Sequence, residues 1–506
     1  MFPTLSLNVR AALLSVACAL SLGTQARAAE VSEEQARATE AQIKTWIAGL
    51  LANRVPIPAD LLSVKPAGET YVVSLKAAHP LVSLMDAAGQ PTDAGLSAVL
   101  RRGEGTRWAI ESLKLPTTTR FGAMPPKPAA GAPAGNPPPM MAISIRDQNT
   151  SGVFDTAPTG ESRLEYRLDG VKYETRGLGT WTESLTTVDR YAGRWLARGT
   201  PSGAIDLGSE STVDGYMSVN SHPVFGMVTM SMRHANGRGV AAAVMTNQIG
   251  GLIRTLVALG YDTQAARQPG AAPIDSQATS RIAIRTMIAA LKGVMTGVEM
   301  DQTMDDFDVQ ALDGRAAMTR MRVAMGGAAP NDRLKAFLEV SAEGLNIFGL
   351  PPRYNDLIPR SFAIRPVLSN IDVRAFTALA DDAAAEGADP AAMKARLETL
   401  LSTTGVRMGF ERLDLDMGFA SLAGSGEATV IGPNAARGHA DIAITGLDAL
   451  MQRVQTMPDA GQGMAVLTMA KGLGKARGDK TVWHIEFTAP QQVLVNGIDL
   501  SKMGQK

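Results

Sequence analysis

The sequence has 506 residues, enough for roughly two to four domains. It carries 49 basic and 49 acidic side chains, so its formal net charge is zero, and it has no sustained Lys/Arg patch of the kind that binds nucleic acid. Apolar residues make up 45% of the chain and charged residues 19%, which is typical of a chain that folds around a core and excludes a disordered one.

The N-terminal segment 1–28 has the parts of a secretory signal peptide. Ala11–Leu22 is an apolar run, and Ala26-Arg27-Ala28 is a small-residue motif that predicts cleavage between Ala28 and Ala29. The run is short for a membrane span, so an uncleaved anchor is the less favoured alternative. We therefore expect a periplasmic protein with no integral membrane span after cleavage.

The single cysteine, Cys18, lies inside this segment. Lipid attachment to Cys18 is an alternative, but Ser15-Val16-Ala17 before it lacks the leucine expected of a lipoprotein, and the apolar run continues past it. After cleavage the chain has no cysteine, which excludes disulfides, thiol catalysis and thiolate metal sites.

Residues 29–121 predict a small α+β unit. A helix is expected over Val31–Asn53, because Ser32 and Gln35 have the spacing of a capping box and apolar residues recur at helical spacing. Strands are expected at Tyr71–Leu75 and Trp108–Leu113.

Residues 122–141 follow as a segment rich in proline, alanine and glycine. Seven prolines between Gly122 and Pro139 leave no room for a helix or a sheet. The segment is predicted to be an exposed linker, or a long loop inserted between two strands.

Residues 142–370 are dense with alternating apolar and polar residues, which predicts antiparallel strands. Hairpin turns are expected at Asp169-Gly170 and Asn236-Gly237, because these dipeptides favour tight turns. Helices are expected near 249–260 and 280–296. The fold class is therefore α+β: antiparallel β-meander sheets, as a sandwich or an open groove or half-barrel, with packed helices.

Residues 371–506 predict a second α+β unit. It should begin with two alanine-rich helices and continue with a three-stranded meander, two further helices and two closing strands. The expected positions are Val373–Gly387 and Pro390–Leu401 for the first helices, a turn or bulge at Gly424-Ser425-Gly426 in the meander, Met464–Leu473 for the last helix, and Asn496-Gly497 for the closing turn.

Two pieces of this unit, GHADIAITGLDAL from Gly438 and VLVNGIDL from Val493, resemble the C-terminal part of uncharacterised bacterial periplasmic proteins. These are the YdgA-like families of unknown function and, more distantly, the AsmA-like envelope proteins. The AsmA-like resemblance implies an extended β structure that handles lipid in the envelope. It implies no catalytic residue.

No pattern in the sequence predicts catalytic chemistry, a metal or a cofactor. The glycine-rich pieces lack the spacing of a phosphate-binding loop, and no G-x-S-x-G or S-x-x-K motif occurs. None of the histidines is three or four residues from another, as a helical zinc motif requires. The histidines are His79, His222, His234, His439 and His484.

Two acidic clusters lack the spacing of a calcium loop. One contains Asp301, Asp305, Asp306 and Asp308, and the other contains Glu411, Asp414 and Asp416. Alternate acids on a strand are expected to form a solvated face, and loose Ca²⁺ binding is the alternative.

Methionine is abundant, with 25 in the chain. Flexible thioethers fill cores, and they also line adaptable surfaces for hydrophobic ligands. We hypothesise an exported, non-enzymatic envelope protein that binds lipid or another hydrophobic ligand in an apolar β groove. The alternatives are a structural adaptor that binds another envelope protein, and a hydrolase with a nonstandard site. The candidate lining residues are Met227, Met230, Met232, Met287 and Met295.

Overall fold

The computed structural model describes residues 30–50, 62–75, 96–122, 140–245 and 297–500, apart from 156, 158, 179–180, 223, 225, 313, 384–389, 433–434, 458–459 and 489–491. The chain divides into two compact units, Met1–Val294 and Met295–Lys506. The predicted signal peptide with its cleavage site at Ala28 and Ala29, and the predicted helices near 249–260 and 280–296, lie outside the described residues. Met287 and Met295 do too.

The first unit begins with helix α1, Glu33–Leu50. The predicted capping box is confirmed: the Gln35 amide donates to Ser32 Oγ at 3.2 Å, and the Ser32 amide donates to Gln35 Oε1 at 3.0 Å. The helix packs beside an antiparallel sheet that includes both predicted strands of this region. Its strands are β1 Leu62–Ala67, β2 Thr70–Leu75, β3 Leu96–Arg102 and β4 Arg107–Lys114.

The core of this region joins the helix to the sheet. Ile43 of α1 is buried with Leu62, Leu100 and Phe154, and the Phe154 ring is stacked on Trp108 with the ring centroids 6.0 Å apart. Each fully buried side chain of this size contributes about 1.5–3 kcal/mol to folding. The same core therefore holds α1 against the sheet and includes Phe154 from the strand Asp147–Asp155.

The proline-rich segment separates two strands that pair with each other, β5 Thr118–Gly122 and β6 Met140–Ser144. Gly122 lies opposite Met140 in their antiparallel register. The pairing brings the two ends of this segment beside each other. Residues 123–139 themselves lie outside the described part.

Five strands complete the described sheet of this unit, and four of them are unusually long. The predictions of turns at Asp169-Gly170 and Asn236-Gly237 are wrong, because both dipeptides lie inside continuous strands that pair with their neighbours on either side of them. The strands are β7 Asp147–Asp155, β8 Glu161–Leu178, β9 Trp181–Gly199, β10 Ala204–His222 and β11 Gly226–Met245.

The strands β8, β9 and β10 are kinked along one line across the sheet, which we call the crease. Gly170 and Gly215 have φ values of +60° and +63°, and the register places both level with Asp189 of β9. On β10 the last buried side chain before the crease is Val213, whereas Ser218 and Asn220 are buried after it, so the inward-facing positions change from odd to even at the crease. The glycines thus supply a local kink in continuous strands instead of a chain reversal.

The second unit is also an antiparallel sheet with helices, so the predicted β-rich class is confirmed in both units. The strands β12 to β19 pair in chain order, except that β15 pairs with β13 and β16 pairs with β14. They are β12 Val298–Ala311, β13 Gly314–Ala328, β14 Arg333–Glu343, β15 Asn346–Phe348, β16 Ser361–Asp372, β17 Arg407–Asp416, β18 Ser421–Gly432 and β19 Ala435–Thr445.

The predicted meander is present as β17, β18 and β19, but its first turn lies at 417–420. Gly424-Ser425-Gly426 is inside β18, so the prediction of a turn there is wrong. The alternative, a bulge, is close: opposite these glycines the register of β17 shifts between Phe410 and Leu413. Because Gly426 has no side chain, the backbone of β19 comes close to it; a Cβ at this position would lie 2.7 Å from the Cβ of Ala440.

The helices of the second unit lie close to the positions predicted from the sequence. Both predicted helix pairs are confirmed, and the closing turn at Asn496-Gly497 has the positive φ values expected of it. The helices are α2 Val373–Ala383, α3 Pro390–Thr404, α4 Leu447–Gln455 and α5 Ala460–Leu473; the closing strands are β20 Lys475–Arg477, β21 Lys480–Thr488, β22 Gln492–Val495 and β23 Ile498–Asp499.

Candidate functional site

The register of the second sheet lines apolar residues up across neighbouring strands. Val323 of β13 lies opposite Val340 of β14, which lies opposite Ile364 of β16, which lies opposite Leu413 of β17. Side chains directly opposite in an antiparallel sheet share one face, and every second residue along a strand shares that face too. The sheet therefore has one face on which apolar residues follow each other in both directions.

Much of this face is exposed over β12, β13, β14, β16 and β17. Large apolar side chains there are between 38% and 48% accessible. Three rows of the register contribute them, and Met300, Met325 and Leu338 form one continuous row. We call these exposed residues the apolar stripe: Met300, Met325, Leu338, Ile364, Leu368 and Met408.

The opposite face of the same strands is charged. Glu339 of β14 is buried, with its side chain 4% accessible, and it accepts hydrogen bonds from Arg322 Nη1 at 3.1 Å and Arg365 Nη1 at 3.0 Å. Arg322 also donates a hydrogen bond to the carboxylate of Asp301, and this bond raises the pKa of the guanidinium. Strand alternation thus separates a charged network from the apolar stripe on the other side.

Further along the sheet the same apolar face is covered. Ile442 and Ile444 of β19 pack with Trp483 of β21 against the buried Leu447 of α4. The Trp483 indole donates its Nε1 hydrogen to the carbonyl of Ala470 in α5 at 2.8 Å, which fixes that helix on the sheet. The covered region is thus an ordinary core, whereas among the residues that the structure describes the apolar stripe remains exposed.

The apolar stripe has the dimensions of a lipid chain. Five adjacent strands spaced about 4.8 Å apart give it a length of about 19 Å, and the four residue steps from Ile364 to Leu368 give it a width of about 13 Å. One leaflet of a bilayer contributes about 15 Å of hydrocarbon. A single acyl chain therefore fits along the apolar stripe.

The methionines predicted as lining residues do not form one surface. Met232 is buried in the first unit, Met230 is half-buried on the same face of β11, and Met227 lies on the opposite face and is 64% exposed. Met287 and Met295 lie outside the described residues. The apolar stripe of the second unit contains none of these five methionines.

Two of the histidines, His234 and His484, are partners of carboxylates. His234 Nδ1 lies 2.6 Å from Asp214, and His484 lies 2.8 Å from Asp441. Within the described residues no group of three His, Cys, Asp or Glu side chains is arranged to hold a metal ion. The acidic cluster of β12 forms ion pairs with β13: Arg320 binds Asp305 and Arg315 binds Asp308.

No known protein family, curated protein or solved structure matches this chain. The resemblance of its closing segment to YdgA-like and AsmA-like proteins therefore stays a prediction. Over the part of the chain that the structure describes, no helix is both long and apolar enough to cross a membrane.

Proposed function

We propose that this chain is an exported, non-enzymatic envelope protein that binds a hydrophobic ligand, the acyl chain of a lipid, along the apolar stripe. The observation that carries the proposal is the row of Met300, Met325 and Leu338, which remain about 40% exposed on strands whose other face is charged. Contiguous exposed apolar surface of this kind marks binding sites in soluble proteins.

The energetics favour a weakly specific lipid ligand. Burying about ten methylenes at about 0.8 kcal/mol each provides roughly 8 kcal/mol before the cost of association is subtracted, so we expect a dissociation constant weaker than about 1 μM. Methionine supports this ligand class, because its flexible thioether adapts to chains of different shape.

We further infer that the second sheet works as an open groove. In a closed sandwich a second sheet would cover the apolar face, and the exposure of Ile364 and Leu368 argues against such a cover. An adaptor that binds another envelope protein would use the same surface, so the test must distinguish a lipid from a protein.

A titration of the purified mature chain with a fluorescent fatty acid tests the proposal. Met325→Glu places a charge in the middle of the apolar stripe and should weaken binding by at least about tenfold, because an acyl chain cannot solvate a carboxylate. Met217→Glu is the matched control, since Met217 is also in a strand, is 45% exposed against 43% for Met325, and lies in the first unit.

Binding by the unchanged chain and by Met217→Glu, with loss in Met325→Glu, is the expected result. Equal binding by both variants would place the ligand elsewhere. Absence of saturable binding by the unchanged chain would leave the adaptor as the better account of the apolar stripe.

A further inference from the structure

The polar face of the first sheet has a trough across β7 to β11. One row of its register reads Ser151, Glu165, Arg194, Glu210 and Arg238, each directly opposite the next. The neighbouring row contains Asn149, Arg167, Ala192, Thr212 and Asn236. We call the surface formed by these two rows the polar trough.

The polar trough contains an open cavity of about 780 Å³. Binding sites for small ligands have volumes of roughly 300–1,000 Å³. Its lining includes Ala192, Gly193 and Gly237, which contribute a methyl group or no side chain, together with four arginines and two glutamates. Five strands give a length of about 19 Å. The polar trough can therefore hold an extended chain of several small units.

Its chemistry excludes an acyl chain and favours hydroxyl groups. The one aromatic residue beside it, Tyr166, is buried. Asn149, Ser151, Thr212 and Asn236 both donate and accept hydrogen bonds, as sugar hydroxyls require.

Positive charge exceeds negative charge in this cavity, with four arginines against two glutamates. Three arginines are engaged: Arg194 binds Glu210 at 2.8 Å, Arg167 binds Asp169 at 2.8 Å, and Arg163 pairs with Glu165. Arg238 lies near enough to Glu210 to lower the pKa of that carboxyl, after the larger effect of Arg194. Arg238 itself has no hydrogen bond or ion pair with any described residue, so its guanidinium fork is available to a carboxylate.

We propose that the polar trough binds an acidic oligosaccharide, with Arg238 pairing to a sugar carboxylate and the amide and hydroxyl side chains bonding to its hydroxyl groups. This site is separate from the apolar stripe, and the two proposals stand or fall independently.

The test is calorimetric titration of the full chain with a galacturonic-acid tetrasaccharide, and with a neutral glucose tetrasaccharide of the same length. Arg238→Gln should weaken binding of the acidic sugar by about tenfold, the equivalent of one charge-assisted hydrogen bond. Arg437→Gln is the matched control, because Arg437 is an exposed arginine on a strand of the second unit and likewise has no ion pair with the described residues. It should bind like the unchanged chain.

Saturable binding of the acidic sugar that weakens only in Arg238→Gln supports the proposal. If the chain bound the neutral sugar as tightly as the acidic one, the proposed role of charge would be wrong. If Arg238→Gln and Arg437→Gln bound the acidic sugar equally well, the placement of its carboxylate at Arg238 would be wrong. Absence of binding by the unchanged chain, with both variants shown by circular dichroism to be folded, would overturn the site itself.

Discussion

Glu339 is the residue on which the charged face of the second sheet depends. Its carboxylate is nearly inaccessible and lies between Arg322 and Arg365, while Arg412 Nη1 is 3.5 Å away. Removing the charge in Glu339→Gln leaves three guanidinium groups without their shared partner. A fully buried pair loses about 3–5 kcal/mol in this way, and because these arginines are a third to a half exposed we expect a loss of about 2 kcal/mol.

Urea unfolding measures this loss. Glu427→Gln is the control, because Glu427 is 56% exposed and is 3.8 Å from Arg407, so its removal should cost less than about 1 kcal/mol. Equal losses in the two variants would mean that the network around Glu339 is not a structural centre.

His484 makes stability depend on pH. Its hydrogen bond to Asp441, then the charge of Asp441 and the contacts with Glu486, raise the pKa of the imidazole in the folded state. A raised pKa means that the folded state binds the proton more tightly, so this stabilisation is complete below the ordinary pKa of about 6.5 and is lost as the pH rises through the folded value.

An NMR titration of the His484 ring checks the direction. The midpoint should lie above 6.5 in the unchanged chain and should fall in Asp441→Asn, because that variant removes the largest contribution. A midpoint that is the same in both proteins would show that the cross-strand pair does not form in solution.

At the scale of the element, the crease depends on Gly215. A side chain there would adopt a left-handed conformation, and its Cβ would lie 2.0 Å from Asp189 Oδ2. Gly203 also has a positive φ, but nothing lies within 4 Å of its Cβ position. We expect Gly203→Ala to cost about 1 kcal/mol from backbone strain alone, and Gly215→Ala to cost about 1–3 kcal/mol more from the clash.

Denaturant unfolding of the two alanine variants separates the steric clash from the backbone strain, because both variants have the backbone strain and only Gly215→Ala has the clash. If Gly215→Ala were no worse than Gly203→Ala, the aspartate would have moved freely, and the crease would not be a packed feature.

The sequence predicted those elements whose signals are local. The capping box of Ser32 and Gln35 and the turn at Asn496-Gly497 both place their hydrogen-bonding groups within a few residues of each other, so neighbouring residues suffice to specify them. Asp169-Gly170 carries a similar turn signal, but pairing with β7 and β9 on both sides keeps the strand extended, and a glycine with positive φ serves the crease instead. Local sequence does not distinguish the two outcomes.

The candidate site was less predictable for a related reason. The number of methionines pointed to an apolar surface, but Met227 and Met232 lie on opposite faces of β11, and only the alternation of the strand could have separated them. The apolar stripe needs more: Met300, Met325 and Leu338 become neighbours only through the register of three strands. Alternation gives the face of each residue, whereas register requires the folded sheet.

At the scale of the whole molecule, each unit uses strand alternation to separate two chemistries. In the first unit a buried core lies behind a polar trough, and in the second a charged network lies behind an apolar stripe. The central claim of the proposed function is that the apolar stripe of the second sheet binds a lipid.

Native mass spectrometry of the protein, purified gently without denaturant and followed by solvent extraction, tests that claim most directly. We predict one lipid molecule bound per chain, released by the solvent and absent from Met325→Glu but retained by Met217→Glu. A protein that is empty as purified, and that stays empty when it is offered phospholipid, would contradict the account.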